Sequence, residues 1–267
     1  MALVNIRNMK DSDEYFVGTC THVDDTPKCL SRYEIDYSAK RRIAWLQSLY
    51  NKNARTKVAC VNDEPVGFIH LIPIEICPWG PIGEDLLVIP CLVVSSKIRK
   101  RGIGRKLIAS AEEEALRQNF KGLVTIGYYH SHWFMPATFF ERCGFKVVKC
   151  KDEKAILWKV YEPAVKEPAM LTPNYNFKCN PDKVTIDLFW NTFCPTSSIE
   201  AQRVREVAEE FGDKIVLNEY CADDRRVFLR YQLPRGIFVN GKEVWYGYEA
   251  PKEGIRKAIL KALKKIT

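Results

Sequence analysis

The sequence has no apolar run approaching the roughly 18 residues that a bilayer-spanning helix needs. No Cys-x-x-Cys pair occurs among its 10 cysteines, which removes the usual zinc-site spacings, and no metal cofactor is expected. No internal repeat stands out. There is no glycine loop ending in Gly-Lys-Ser/Thr, as a nucleotide-binding phosphate loop has, and no G-x-G-x-x-G dinucleotide spacing. Met1-Ala2-Leu3-Val4 runs directly into alternating polar residues, without the apolar stretch of a secretory leader. A cytoplasmic location with mostly reduced thiols is therefore the expectation. Cys60 and Cys91, set in apolar runs, read as small core residues.

What is present suits a globular chain. The 267 residues are 46% hydrophobic and 28% charged, enough for two cores. The net charge of +8 is unevenly placed. Lys97, Arg99, Lys100, Arg101, Arg105 and Lys106 crowd one short segment. Arg256, Lys257, Lys261, Lys264 and Lys265 form a second cluster near the C-terminus, which reads as a solvated helix face favoured by the helix dipole. Charge of this sign could attract nucleic acid or a membrane surface, but it is the only support for either, and neither partner is expected.

The pattern of elements predicts an α/β (α+β) chain. Residues 161–177 hold three prolines, polar spacing and no periodicity, the marks of a connection. We place a boundary near Leu171 and read 1–162 as a first domain, 163–176 as a linker and 177–267 as a second domain. In the first, strands are predicted at 4–9, 57–61, 66–74, 86–94, 122–128, 145–149 and 155–160. Helices are predicted at 12–20, 37–50, 105–118 and 136–143, and Asn62-Asp63-Glu64 reads as a hairpin turn. Residues 86–94 form a near-continuous apolar run, as expected of a strand covered on both faces. The second domain reads strand, helix, strand, helix, strand, strand, helix, starting at 184.

Chemistry concentrates after the apolar run. Leu92-Val93-Val94 ends a buried strand, and Arg99-Lys100-Arg101-Gly102-Ile103-Gly104-Arg105 turns through two glycines into a helix. Amides at a helix start bind anions, and glycines let a phosphate approach the backbone closely. Arg99, Gly102 and Gly104 resemble the Arg/Gln-x-x-Gly-x-Gly/Ala motif of the GNAT family of N-acetyltransferases. Val94 and Ile98 fit its apolar positions. Phe139-Phe140-Glu141-Arg142-Cys143-Gly144-Phe145 resembles that family's Phe-Tyr-Glu-Lys-x-Gly-Phe signature. The likeness covers roughly residues 3–160.

The resemblance implies a GNAT mixed sheet with flanking helices. It also implies an acyltransferase, an N-acetyltransferase moving an acyl group other than amino-acyl, with acetyl-coenzyme A as cosubstrate. Amides of 101–105 would take the pyrophosphate, and the pantetheine would lie beside Leu92, Val93 and Val94 as an added strand. A small-molecule or peptide amine would attack the thioester directly in a ternary complex, which calls for a base and an acid. The family's usual acid is a tyrosine where this chain has Phe140, which has no proton to give; its frequent asparagine is Phe134 here. Tyr128, Tyr129, His130 and His132 are the nearby candidates for acid. Glu84 is the favoured candidate for base, with Asp85, His70 and Glu75 as others.

In the second domain, Phe193-Cys194-Pro195-Thr196-Ser197 follows a strand and starts a helix, where a thiolate gains from the helix dipole. This part resembles a thioredoxin-like domain with Ser197 in place of its second cysteine. That family implies a cis proline at Pro234. The whole arrangement resembles acetyltransferases that carry a YoaP-like C-terminal domain. That likeness names no activity for the second domain, and two roles stay open: aid in substrate recognition, or a thiol-binding, monothiol redox function for which the first domain binds acyl-coenzyme A without catalysis.

Overall fold

The computed structural model describes residues 4–23, 30–130 and 135–266. Its contacts divide the chain into two compact units, residues 1–26 with 43–171 and residues 27–42 with 172–267. The chain is mixed α/β, with a sheet in each unit.

The first unit is built on an eight-stranded sheet. Its strands are β1 (Val4–Asn8), β2 (Arg55–Val61), β3 (Glu64–Pro73), β4 (Leu86–Ile89), β5 (Leu92–Val94), β6 (Gly122–Tyr128), β7 (Lys146–Lys151) and β8 (Lys154–Val160). The order across the sheet is β1-β2-β3-β4-β6-β8-β7, and β5 pairs with β3 off that path. The β2–β3 turn is Asn62-Asp63, both at positive φ (52° and 66°), the tight turn whose twist suits a hairpin and whose residues tolerate it. The helices here are the short α1 (Glu14–Thr19) and α4 (Ala137–Glu141) and the longer α3 (Ile103–Arg117), together with α2 (Arg32–Ser48), which is shared between the units. Helix α3 turns Ile103, Leu107, Ile108, Ala111 and Ala115 onto Ile69, Leu71, Leu87 and Leu123 of the sheet, the one-face pattern visible in its sequence.

The apolar run 86–94 is two strands rather than one. Pro90 has no N–H to give a ladder, and the pairing register with β3 advances by one residue between Ile72↔Val88 and Ile69↔Leu92. That extra residue is a bulge, which bends the strand. β4 runs parallel to β6 as far as Ile89↔Thr125, whereas β5 pairs only with β3. The two strands therefore part after Ile89, where the Thr125 hydroxyl donates to the Ile89 carbonyl at 2.8 Å.

Helix α2 starts five residues before its predicted position of 37. Its start carries a capping box: the Ser31 N–H and hydroxyl donate to Glu34, and the Glu34 N–H donates to Ser31 Oγ. The division between units falls inside this helix, after Arg42.

The second unit holds β9 (Val184–Trp190), α5 (Pro195–Glu209), β10 (Ile215–Cys221), α6 (Arg225–Tyr231), β11 (Gly236–Val239), β12 (Lys242–Glu243) and α7 (Lys252–Leu263), in the order read from the sequence. The sheet order is β10-β9-β11-β12, with β9 and β10 parallel and the other pairs antiparallel. Strand alternation sorts β9. Ile186 and Leu188 meet Ala201, Val204, Ile255 and Ile259 of α5 and α7. Asp187 and Phe189 face an aromatic group made by Tyr175, Tyr220 and Phe238.

The proline-rich connection is ordered by local bonds on each side. Ala169 exchanges two backbone hydrogen bonds with Ile82 in the first unit. In the second, the Thr172 N–H donates to Gln232 Oε1 at 2.8 Å and the Tyr175 hydroxyl donates to Asp187 Oδ2 at 2.6 Å. No described helix is long and apolar enough to cross a membrane.

Candidate functional site

Between β5, the start of α3 and α4 lies a cleft of about 620 Å3. One wall is Leu92, Val93 and Val94; the next is Ile98, Arg99, Lys100, Gly102, Ile103, Gly104 and Arg105; Pro136, Phe139, Arg142 and Thr21 complete it. Of the cofactor-binding residues named from the sequence, all line this cleft except Arg101, which is exposed in the middle of the loop. Sequence reading passed over Thr21, Pro136 and two residues of the second motif, Phe139 and Arg142.

The loop is shaped for an anion. Gly102 caps α3 at φ 78°, and Lys100 also takes positive φ (65°). The first helical hydrogen bond runs from the Lys106 N–H to the Gly102 carbonyl. The Ile103, Gly104 and Arg105 amides thus have no acceptor within the helix and point out of its first turn. A Cβ on Gly104 would lie 3.0 Å from the Phe139 ring. A side chain there would have to push the Phe139 ring back by a few tenths of an ångström, so glycine suits the close packing of the second motif on the first turn of α3. Arg99 is tied back by a bond from its Nε to the Val94 carbonyl at 3.3 Å. The cleft lining contains four cationic side chains and no carboxylate.

An edge is also on offer. β5 has a strand partner on one side only, and β6 beyond Thr125 pairs with β8 on its other side. Unpaired backbone groups at such an opening can bond an extended ligand as a further strand. The residues present therefore fit the pantetheine and pyrophosphate of coenzyme A.

The catalytic candidates are scattered. Glu84 is exposed at the start of β4 and pairs with Lys166 at 2.8 Å. It does not line the cleft, and the run from Leu86 to Leu92 alone spans roughly 20 Å of extended chain. Its neighbours are engaged in the same local network: Glu75 accepts from the Asp85 N–H, and Asp85 pairs with Lys121. His70 is fully buried in β3 beside Phe68, with Nδ1 2.9 Å from Thr56 Oγ1. Its N–H donates to the Cys91 carbonyl at the bulge.

The end of β6 gathers three candidates. Burial pushes the Tyr128 phenol up to about 12, so it stays protonated at neutral pH, and its ring lies 5.0 Å from that of His130. Tyr129 is exposed and donates its hydroxyl to Glu141 at 3.0 Å. Partial desolvation and that carboxylate raise its pKa. His132 and Phe134 lie outside the described residues. Phe140 is not in the cleft: it is 1% exposed and stacks edge-on between Phe139 and Phe145.

In the second unit Cys194 is the N-cap of α5, with Pro195 opening the helix. The Cys194 N–H donates to Asn191 Oδ1 at 2.8 Å, and the Asn191 N–H donates to Ser197 Oγ at 3.0 Å. Ser197, in the place of a second cysteine, thus holds the turn closed. Pro234 receives the Asn191 side-chain amide on its carbonyl, but its peptide bond is trans, since no described residue has a cis bond. The cis proline implied by the thioredoxin likeness is therefore corrected: the short loop after α6 reaches Asn191 without it. Arg235 makes two bonds to Glu200, at 2.6 and 2.9 Å, and Thr196 donates to Glu249. Cys221 is pushed up to about 12 by burial and by Asp223, so it remains a thiol. Among the described residues no group of His, Cys, Asp and Glu is placed to hold a metal ion.

Among solved structures, the chain resembles a PaiA N-acetyltransferase from Thermoplasma acidophilum in complex with coenzyme A, at 16% identity over 60% of this chain and 99% of that one, TM-score 0.43. It resembles a GNAT family acetyltransferase from Brucella melitensis in complex with acetyl-coenzyme A, at 17% identity over 64% and 97%, TM-score 0.43. A third, a GNAT family acetyltransferase from Desulfovibrio desulfuricans, is 18% identical over 59% and 99%, TM-score 0.45. No curated protein matches the chain. The family model that matches is the acetyltransferase (GNAT) domain, over residues 52–147. That span runs from β2 through both motifs and lies within the first unit, which is similar there to the GNAT acetyltransferase domain.

Proposed function

We propose that this chain is an acetyl-coenzyme A-dependent N-acetyltransferase acting on a small-molecule or peptide amine, with its second unit aiding recognition of that acceptor. The observation that carries the reading is the junction of a one-sided strand edge, β5, with the unpaired first-turn amides of α3 in one cationic cleft. An extended, anionic cosubstrate with a thioester at its far end suits that shape.

In this reading the β5 backbone orients the pantetheine, and the amides of 103–105 with Arg99, Lys100 and Arg105 hold the pyrophosphate. The acceptor nitrogen attacks the thioester carbonyl; a C–N bond forms and the C–S bond breaks. The amine gives up one proton and the leaving thiolate takes one. Phe140 supplies neither. Tyr128, protonated at neutral pH, and His130 beside it are the residues at the end of β6 best suited to deliver a proton.

The test is release of free coenzyme A from acetyl-coenzyme A with a panel of amines. Gly104→Val, which pushes a branched side chain into Phe139 and the cleft, should cut turnover at least about a hundred-fold by misplacing the cosubstrate. No release with any acceptor would overturn the proposal.

A second reading has one observation in its favour: Cys194 at the N-terminus of α5, in a unit whose strand and helix order supports a thioredoxin-like, YoaP-like assignment. Here the second unit binds thiols or forms mixed disulfides, and the first holds acyl-coenzyme A without turnover. Bound coenzyme A without transfer, together with disulfide exchange lost in Cys194→Ser, would favour it.

A further inference from the structure

We propose that Arg142 reads the ribose 3′-phosphate of coenzyme A and so makes the cleft select coenzyme A over its 3′-dephospho form. The inference rests on the cosubstrate reading above and adds a subsite to it.

The starting point is a surplus of positive charge. Arg99, Lys100 and Arg105 line the cleft from the loop and the first turn of α3, and Arg142 lines it from the C-cap of α4. A pyrophosphate diester brings two negative charges, and the first-turn amides with the loop cations already answer it. A 3′-phosphomonoester brings nearly two more near neutral pH. Four cations without a lining carboxylate match the whole of coenzyme A better than they match its pyrophosphate alone.

Arg142 is also available. The carboxylates near it are engaged elsewhere: Glu141 accepts from Tyr129, and Glu112 pairs with Lys159. Among the described residues Arg142 has no ion-pair partner. Its backbone, by contrast, is fixed, since its N–H caps α4 on the Thr138 and Phe140 carbonyls. Arg105 and Arg142 line the same cleft, one from the first turn of α3 and the other from the end of α4. A guanidinium fork there suits a terminal phosphate, which it can hold by two parallel hydrogen bonds.

The test is calorimetric binding of coenzyme A and of 3′-dephospho-coenzyme A to the full chain, for the wild type, Arg142→Ala and Arg142→Lys. The wild type should bind coenzyme A about ten-fold more tightly than the dephospho form, the worth of one charge-assisted pair. Arg142→Ala should lose most of that ratio while keeping its affinity for the dephospho form, which also reports that the variant is folded. Arg142→Lys should recover part of the ratio. An unchanged ratio in Arg142→Ala, or an equal loss for both ligands, would overturn the subsite and leave the cosubstrate reading intact. Failure of the wild type to bind either ligand would remove the cosubstrate reading and the subsite together.

Discussion

Each unit of this protein ends a buried strand at a turn and starts a long helix there, yet the two helix starts are finished differently. At α3 the cap is Gly102, the side chains around it are cations, and no carboxylate lines the space in front. At α5 the cap is Cys194, the first turn is buried, and Glu200 and Glu249 fill the surroundings. Glu200 holds Arg235, and Glu249 accepts from Thr196. One helix dipole is left for an outside anion; the other lies among charges that are already paired. The same local geometry therefore acquires different chemistry from what the rest of the fold packs against it.

The largest effect should come from undoing that pairing. Arg235 and Glu200 are 9% and 6% exposed, so Arg235→Ala strands a buried carboxylate and should cost about 3–5 kcal/mol in urea unfolding. Arg105→Ala, at the open helix start, should cost at most about 0.5 kcal/mol in the same measurement. Equal costs at the two sites would break the comparison.

Acid should expose a likeness between the units. Burial alone would raise Glu114 and Glu34, but bonds from Lys57, Arg117 and Gln118 to the first, and from Arg203 and Ser31 to the second, bring each down from 4.5 to about 2. A folded-state value below the unfolded one gives stability that is present above pH 4.5 and is lost as the pH falls toward 2. Glu114→Gln and Glu34→Gln should each flatten the pH dependence of unfolding by about 2 kcal/mol. Stability that rises as pH falls through this range in the wild type would contradict the assignment.

The smallest effect should follow Cys194→Ser. The α5 start offers no open anion site, so affinity for coenzyme A should stay within about two-fold of the wild type, as calorimetry would report. A larger loss would make the two helix starts parts of one function.

Much of the fold was legible in the residues. Strand β6 falls at 122–128 and β9 starts at 184, as read, and the seven elements of the second unit appear in the order read. The two motifs marked the cleft because glycine and arginine spacing is local information. The break of 86–94 into two strands was signalled by Pro90, but one proline does not say that the partner register shifts or that β6 departs. The catalytic candidates were least legible. Glu84 reads as an acid at a strand start, and only the fold reveals that Lys166, 82 residues away, occupies it. Likewise Phe140 looks like a lost donor in sequence, whereas in the structure it is a core ring between Phe139 and Phe145.

By itself the sequence determined the alternation of strands and helices, the glycine turn before α3 and the reservoir of positive charge around it, because these depend on periodicity, backbone freedom and formal charge. Tertiary structure decided the rest: that β5 swings away from β6 to open an edge, that Arg142 faces the same cleft as Arg105, and that Cys194 sits among paired charges. Those outcomes depend on which distant segments share a register or a packing face, and chain order alone does not carry that information.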